Sequence, residues 1–512
     1  MRKVTTALCL RIIATIFAAA LFTAVVGCSN FGLSGPSDLD NQGQTDPAIE
    51  SDNTPSDEGT IAIPSDIYSS EYIEQIVNPD RSLFESEGIT IATAYAQLIS
   101  ELAFLYMQEN PEVKINIIDY YSTLGGSWED GLVFDSVRLE IATQLMADSA
   151  PTLICSLLAD SFDPRQTIFF YDWYKLMDAD PNFNEEDWFM NVFHAFSMND
   201  RLYQFPITFG FDPVVVNTAI PGLMEAMSDK RQGVTMSELV ELHRQFSADF
   251  PNYYLEEYFS AEILLQYSID RFIDIEAGVV DFGEEFIDLI KYAESITSPD
   301  VSRNRWGNTF PAGFASSAAE LRNSERFLFH FYHRRFFHHF LDHEGERPFA
   351  GITPLVNERG ELFIDPYNYF YFGDSYLLSA TATPIQKAIA WDFIMFIMQF
   401  EIQYNYSLAS MLMMPTLHRD TFYDHARFMV AVQNDGHYNW FGGTNEEAAD
   451  GVIETMTGFL EMPMRRSRTL PRVIEDIISE AMSQFHDGLL SAEQVAELLQ
   501  NQVSIVLMEI AQ

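Results

Sequence analysis

The apolar positions of this chain change period along its length. Gly88 to Ala94 (Gly-Ile-Thr-Ile-Ala-Thr-Ala) alternates and predicts a strand. Leu98, Leu102 and Leu105 then recur at helical spacing, and Asn110-Pro111-Glu112 stops that helix. Val113 to Asp119 alternates again, Arg138 to Ala147 is helical, and Pro151 to Leu158 is a short apolar run that predicts a buried strand. Strand, helix, strand, helix, strand predicts a parallel sheet covered by helices with right-handed crossovers. Further helices are expected over Val234 to Ser247, with Thr235 as N-cap, and over Phe282 to Ser295. Thr383-Pro384-Ile385-Gln386 combines a capping box with a proline at the first helical position, and opens a helix to about Phe400. Ser491-Ala-Glu-Gln494 is a second capping box, ahead of the stripe Val495, Leu498, Leu499 and Val503. No repeat of solenoid length is present.

The N-terminus follows neither period. Arg2, Lys3 and Arg11 precede an almost wholly apolar run from Ile12 to Val26 that is too short to span a bilayer, as in an export signal. Val25-Val26-Gly27-Cys28 resembles the bacterial lipobox, which implies lipidation at Cys28 and a signal peptide over 1–27. Ser29 to Asp66 holds eight carboxylates and no Lys or Arg. Such a segment buries too little apolar surface to offset its ordering entropy. Residues 28–86 are therefore expected to form an acidic, disordered tether, and the folded part to start near Glu87.

Composition narrows the partners. The formal net charge is −46, and 47% of residues are hydrophobic. That charge argues against nucleic acid as a partner, because phosphate backbones are held by Lys and Arg. The roughly 425 residues beyond the tether are enough for two lobes with separate cores. Of three cysteines, only Cys155 would remain in the folded part, where its apolar strand makes it a small core residue.

With the elements in this order, the chain resembles the family 1 extracellular solute-binding proteins of bacterial ABC importers, a group that includes many sugar-binding lipoproteins. The resemblance is carried by Ile89-Thr-Ile-Ala, by the helix and strand ending Met107-Gln-Glu-Asn-Pro-Glu-Val-Lys-Ile115, and by Ile141 to Ile154. Asn199-Asp-Arg-Leu-Tyr-Gln-Phe-Pro206, Val214-Val-Val-Asn217, Ala388-Ile-Ala-Trp391-Asp-Phe-Ile-Met-Phe-Ile397 and Met413-Met-Pro-Thr-Leu-His-Arg-Asp420 continue it. Thr152 stands where the family usually has Asp.

The resemblance implies a two-lobed α/β periplasmic-binding-protein-like fold (type II), each lobe a mostly parallel sheet flanked by helices. Lobe 1 is expected over 87–210 plus 352–410, and lobe 2 over 211–351 plus 411–512. Crossings are expected near Phe209 to Asp212, Phe349 to Thr353 and Met411 to Pro415. The implied role is capture of a sugar or oligosaccharide between the lobes by hinge closure, then delivery to the transmembrane subunits of an ABC permease. No catalysis and no cofactor are implied. The chain would be extracytoplasmic, lipid-anchored to the outer face of the cell membrane. A surface glycoside hydrolase and a ligand-binding partner of a sensor kinase stay open as alternatives. The first needs two carboxylates at a fixed separation, and 75 acidic residues leave such a pair open.

Sugars are held by aromatic faces against their C–H patches and by polar groups on their hydroxyls. In open α/β sheets, ligands sit beyond the carboxyl ends of strands. Candidate ligand contacts are therefore Tyr95 after the first strand, Trp128 in Gly125-Gly-Ser-Trp128 after the second, Asp160 after the third, and Phe209 and Asp212 at the first crossing. Trp306, Tyr369 and Tyr371 rank second, and Trp391 is read as structural. The segment His330 to His343 holds five histidines. His339 and His343 are spaced for one helix face, but no His-Glu-x-x-His motif or nearby Cys accompanies them, so no metal is assigned. Arg334 and Arg335 could instead meet an anionic ligand.

Overall fold

The computed structural model describes residues 66–510, apart from 121–130, 297–327, 332–348, 366–374, 404–415, 425–453 and several shorter gaps. Cys28, the export signal and the region ahead of residue 66 lie outside the described residues.

The first sheet has five strands: β1 (Gly88–Thr93), β2 (Lys114–Asp119), β3 (Leu153–Cys155), β4 (Gln204–Pro206) and β12 (Ser375–Leu378), in the order β2-β1-β3-β12-β4. β1 runs parallel to β2 and β3, while β12 is antiparallel to both β3 and β4. Four strands thus share one direction, as the strand–helix alternation predicts, and one returns between them. Helices α2 (Ala96–Glu109) and α3 (Gly131–Met146) follow β1 and β2. Ile91, Leu153, Cys155, Phe205 and Trp173 are fully buried in the core beside this sheet. Trp391 is structural: its ring is buried and its Nε1–H donates to the Asp180 carboxylate at 2.8 Å.

A second sheet joins β6 (Pro213–Asn217), β9 (Phe329–Phe331) and β10 (Phe349–Pro354) in the order β10-β6-β9. Both pairings are antiparallel, so "mostly parallel" describes the first lobe and not the described strands of the second. A small hairpin pairs β7 (Ile273–Asp274) with β8 (Val279–Val280). Helices α4 (Met236–Ser247), α5 (Glu284–Ile296), α7 (Arg472–His486) and α8 (Ala492–Ile510) supply about half of the second core, including Leu239, Phe286, Ile474, Leu499 and Val503.

The expected caps are in place. Thr235 and Glu238 form a reciprocal capping box on α4, and Thr383 and Gln386 form one on α6 (Pro384–Ile397). Ser491 and Gln494 exchange the same two bonds at the start of α8, at 2.8 and 3.3 Å.

Three boundaries differ from the sequence expectation. The folded part begins before Glu87: α1 (Ser70–Val77) and a 3-10 turn over Arg81–Glu85 pack on lobe 1. Ile67, Ile76 and Phe84 are buried there, and the Arg81 guanidinium bonds Asp392 of α6 at 2.9 Å. Apolar spacing in Tyr72, Ile73, Ile76 and Val77 outweighs the acidic surroundings. Next, Leu417, Phe422, Phe459, Leu460 and Met464 pack in the first core rather than in lobe 2. Finally, Leu355 packs in the second core rather than in lobe 1.

The last two shifts share one cause, a third sheet. It contains β5 (Gly210–Phe211), β11 (Leu362–Asp365) and β13 (Met464–Arg466), ordered β13-β11-β5. Each strand stands where the chain passes between the two cores. The second and third crossings therefore fall near 362–365 and 464–470, later than the sequence suggests.

Candidate functional site

The alternation of a strand decides which core each side chain of this hinge sheet enters. In β11, Leu362 and Ile364 are buried in the first core, and Phe363 between them is buried in the second. Phe363 meets Tyr267 of the second core edge-on, with ring centroids 5.2 Å apart. The register places Phe211, Ile364 and Arg466 in one row and Phe363 beside Arg465 in the next. Arg466 turns to lobe 1 and Arg465 to lobe 2. Burial raises the Asp270 carboxyl above its usual range, and Arg465 pulls it back down.

On the lobe 1 side a buried polar chain begins. The Arg466 guanidinium lies over the Phe196 ring, 4.9 Å from its centroid, and donates to the Gln204 side-chain carbonyl at 2.7 Å. The Gln204 amide donates to the Ser375 hydroxyl, which bonds the Ser156 hydroxyl at 2.8 Å. Ser156 follows β3, and Ser375 opens the antiparallel β12 beside it, so these two hydroxyls lie at the carboxyl edge of the parallel strands.

The described flanks of three predicted segments lie at the same edge. Thr93 ends β1 two residues before Tyr95, Asp119 ends β2 ahead of the Trp128 loop, and Ser375 opens β12 after the segment with Tyr369 and Tyr371. Tyr95, Trp128, Asp212, Tyr369 and Tyr371 themselves lie outside the described residues, as do Trp306, Arg334, Arg335, His339 and His343.

Two candidates are described. Phe209 is fully buried in the first core. Asp160 has both oxygens engaged within the chain. Oδ1 accepts from the Asp163 N–H at 3.2 Å, and Oδ2 accepts from the N–H of Arg472, the first residue of α7, at 2.9 Å.

Arg466, Gln204, Ser375 and Ser156 were not selected from the sequence. The available signal was Arg465-Arg466, a paired cation in a chain with 29 basic and 75 acidic residues. Hydroxyls, amides and guanidinium groups bond hydroxyl-rich solutes, but here Gln204, Ser375 and Arg466 are buried and bond one another. Among the described residues no group of three or more His, Cys, Asp or Glu is placed to hold a metal ion. Among them, too, no helix is long and apolar enough to cross a membrane.

No protein-family model matches the chain, and no curated protein matches it. Solved structures do. The sugar-binding protein MalE of Xanthomonas citri superposes with a TM-score of 0.53 at 14% identity, covering 83% of this chain and 98% of that one. A periplasmic-binding protein of Synechococcus sp. MITs9220 superposes with a TM-score of 0.51 at 11% identity, covering 82% and 99%. A family 1 extracellular solute-binding protein of Alicyclobacillus acidocaldarius gives a TM-score of 0.49 at 11% identity, covering 82% and 98%. The chain therefore shares the two-lobed α/β fold of the first two of these structures.

Proposed function

We propose that this chain is the substrate-binding lipoprotein of an ABC importer. It captures a sugar or oligosaccharide between its lobes by hinge closure and delivers it to a membrane permease. The observation that carries this reading is the hinge sheet. All the passages between the two cores among the described residues run through β5, β11 and β13, so the lobes can rotate about one narrow sheet while each core stays packed. The cleft reading is supported further by the fold shared with a sugar-binding protein.

In this reading Tyr95, Trp128, Asp212, Tyr369 and Tyr371 contribute the cleft wall, with aromatic faces for the sugar rings. Cys28 carries the lipid that keeps the protein at the outer face of the cell membrane. The test is thermal melting of the full chain against mono- and oligosaccharides, amino acids, peptides and divalent metals. A ligand bound only by the folded state raises the midpoint with its concentration. A rise with one saccharide class, with no product formed, is the expected result. A rise only with a metal or a non-carbohydrate solute would overturn the cargo assignment, and turnover of a glycan would overturn the role.

A further inference from the structure

Asp160 stands where sequence reasoning expects a ligand contact, yet its carboxylate reaches the other lobe. Oδ2 accepts from the N–H of Arg472, and α7, which starts at Arg472, buries Ile474 in the second core. β3, five residues before Asp160, belongs to the first core. A carboxylate at a helix N-terminus meets unpaired N–H groups and the positive end of the helix dipole. A charge interaction lies close by. Arg165 is held by the Asp163 carboxylate at 2.7 Å and also feels Glu509, in the last turn of α8. The segment after β3 thus faces both C-terminal helices of lobe 2, at the start of one and the end of the other.

We propose that Asp160, through the backbone N–H of Arg472, is an interlobe latch that holds the lobe arrangement seen here and thereby sets the conformational part of ligand affinity. It is a positioning residue, not a ligand contact. Its latching role needs only two mobile lobes; its effect on affinity rests on the function proposed above.

A ligand changes the lobe equilibrium only by its differential affinity for the two arrangements. A contact made in one arrangement alone biases the equilibrium before any ligand arrives. A carboxylate at a helix N-terminus contributes a bias of about two- to five-fold.

The test uses the full chain with one spin label on each lobe, at the exposed Leu139 and Leu489. The interlobe distance distribution is measured without ligand. Asp160→Ala should lower the ratio of the described arrangement to the other about two- to five-fold. Arg472→Pro removes the same N–H at a position where proline suits a helix start, and should give the same shift. Arg472→Ala keeps the N–H and should leave the distribution unchanged. An unchanged distribution in both Asp160→Ala and Arg472→Pro overturns the latch. So does equal redistribution by Arg472→Ala, which would assign the effect to the side chain. None of these readouts involves cargo, so the latch and the sugar-binding reading fail separately. A loss of ligand affinity in Asp160→Ala with an unmoved distance distribution would return Asp160 to the ligand wall.

Discussion

The guanidinium of Arg466, on the last hinge strand, donates to the side-chain carbonyl of Gln204, on a strand of the first sheet, across 2.7 Å. It ties the hinge to lobe 1 alone, because Arg466 is buried on that side while its neighbour Arg465 faces lobe 2. A buried hydrogen bond to a charged group contributes about 1.5–3 kcal/mol. Arg466→Met should therefore lower the stability of lobe 1 by about that amount, read as a lower urea midpoint. A double-mutant cycle with Gln204→Leu should return a coupling of similar size. Additive effects would mean the pair is a contact without energetic weight.

The strap ahead of β1 gives a second prediction. Phe84 is fully buried, Ile76 nearly so, and the Tyr171 hydroxyl donates to the Ile67 carbonyl at 3.0 Å. Phe84→Ala should cost about 3–5 kcal/mol. A chain shortened to begin at Glu87 should melt well below the full chain and bind hydrophobic dyes. Equal melting points would show that the strap is an accessory.

Lys387 of α6 sits beneath that strap, fully buried. Its ammonium donates to the Ala380 carbonyl at 2.8 Å and the Tyr72 hydroxyl at 2.9 Å. Burial pushes its pKa from 10.5 down to about 7. The unfolded chain keeps the ordinary value. Between about pH 7 and 10.5 the unfolded state therefore binds more protons, and stability rises with pH across that window. Below about pH 7 both states carry the charge and the burial penalty is present in full. The melting temperature of the wild type should climb relative to Lys387→Met between pH 7 and 10. A constant difference would show that the carbonyl and hydroxyl partners keep the ammonium charged throughout.

Trp128 tests the cleft wall. If its ring covers a sugar face, Trp128→Ala should weaken saccharide binding about tenfold, equivalent to ~1.4 kcal/mol, with little change in melting temperature. Titration calorimetry decides this. Unaltered affinity would move the wall to the other aromatic candidates, Tyr95, Tyr369 and Tyr371.

Most of lobe 1 was legible because its signals are local. β1 and β2 alternate, and Thr383 and Gln386 spell a cap within four residues. The hinge was not. Leu362-Phe363-Ile364 reads as one continuous apolar run, since each face of that strand serves a different core. Periodicity detects burial but not which of two cores receives it. The strap was missed because charge around it suggested disorder, while burial at Ile67, Ile76 and Phe84 depends on α6, about three hundred residues later. Arg466 and Gln204 give no local signal for the same reason: their pairing exists only in three dimensions.

The hinge sheet also has a consequence in time. Its strands come from three widely separated parts of the chain, so Phe211 has no partner until Ile364 emerges, and Ile364 lacks one neighbour until Arg466 does. Pairings so distant in sequence close slowly. The last strand follows β11 by about a hundred residues, so a growing chain cannot complete either lobe's boundary before that strand appears. For the exported protein proposed above, which would cross a membrane as an unfolded thread, such a delay is an advantage. The same sheet that would let the finished molecule bend keeps the unfinished one from locking too soon.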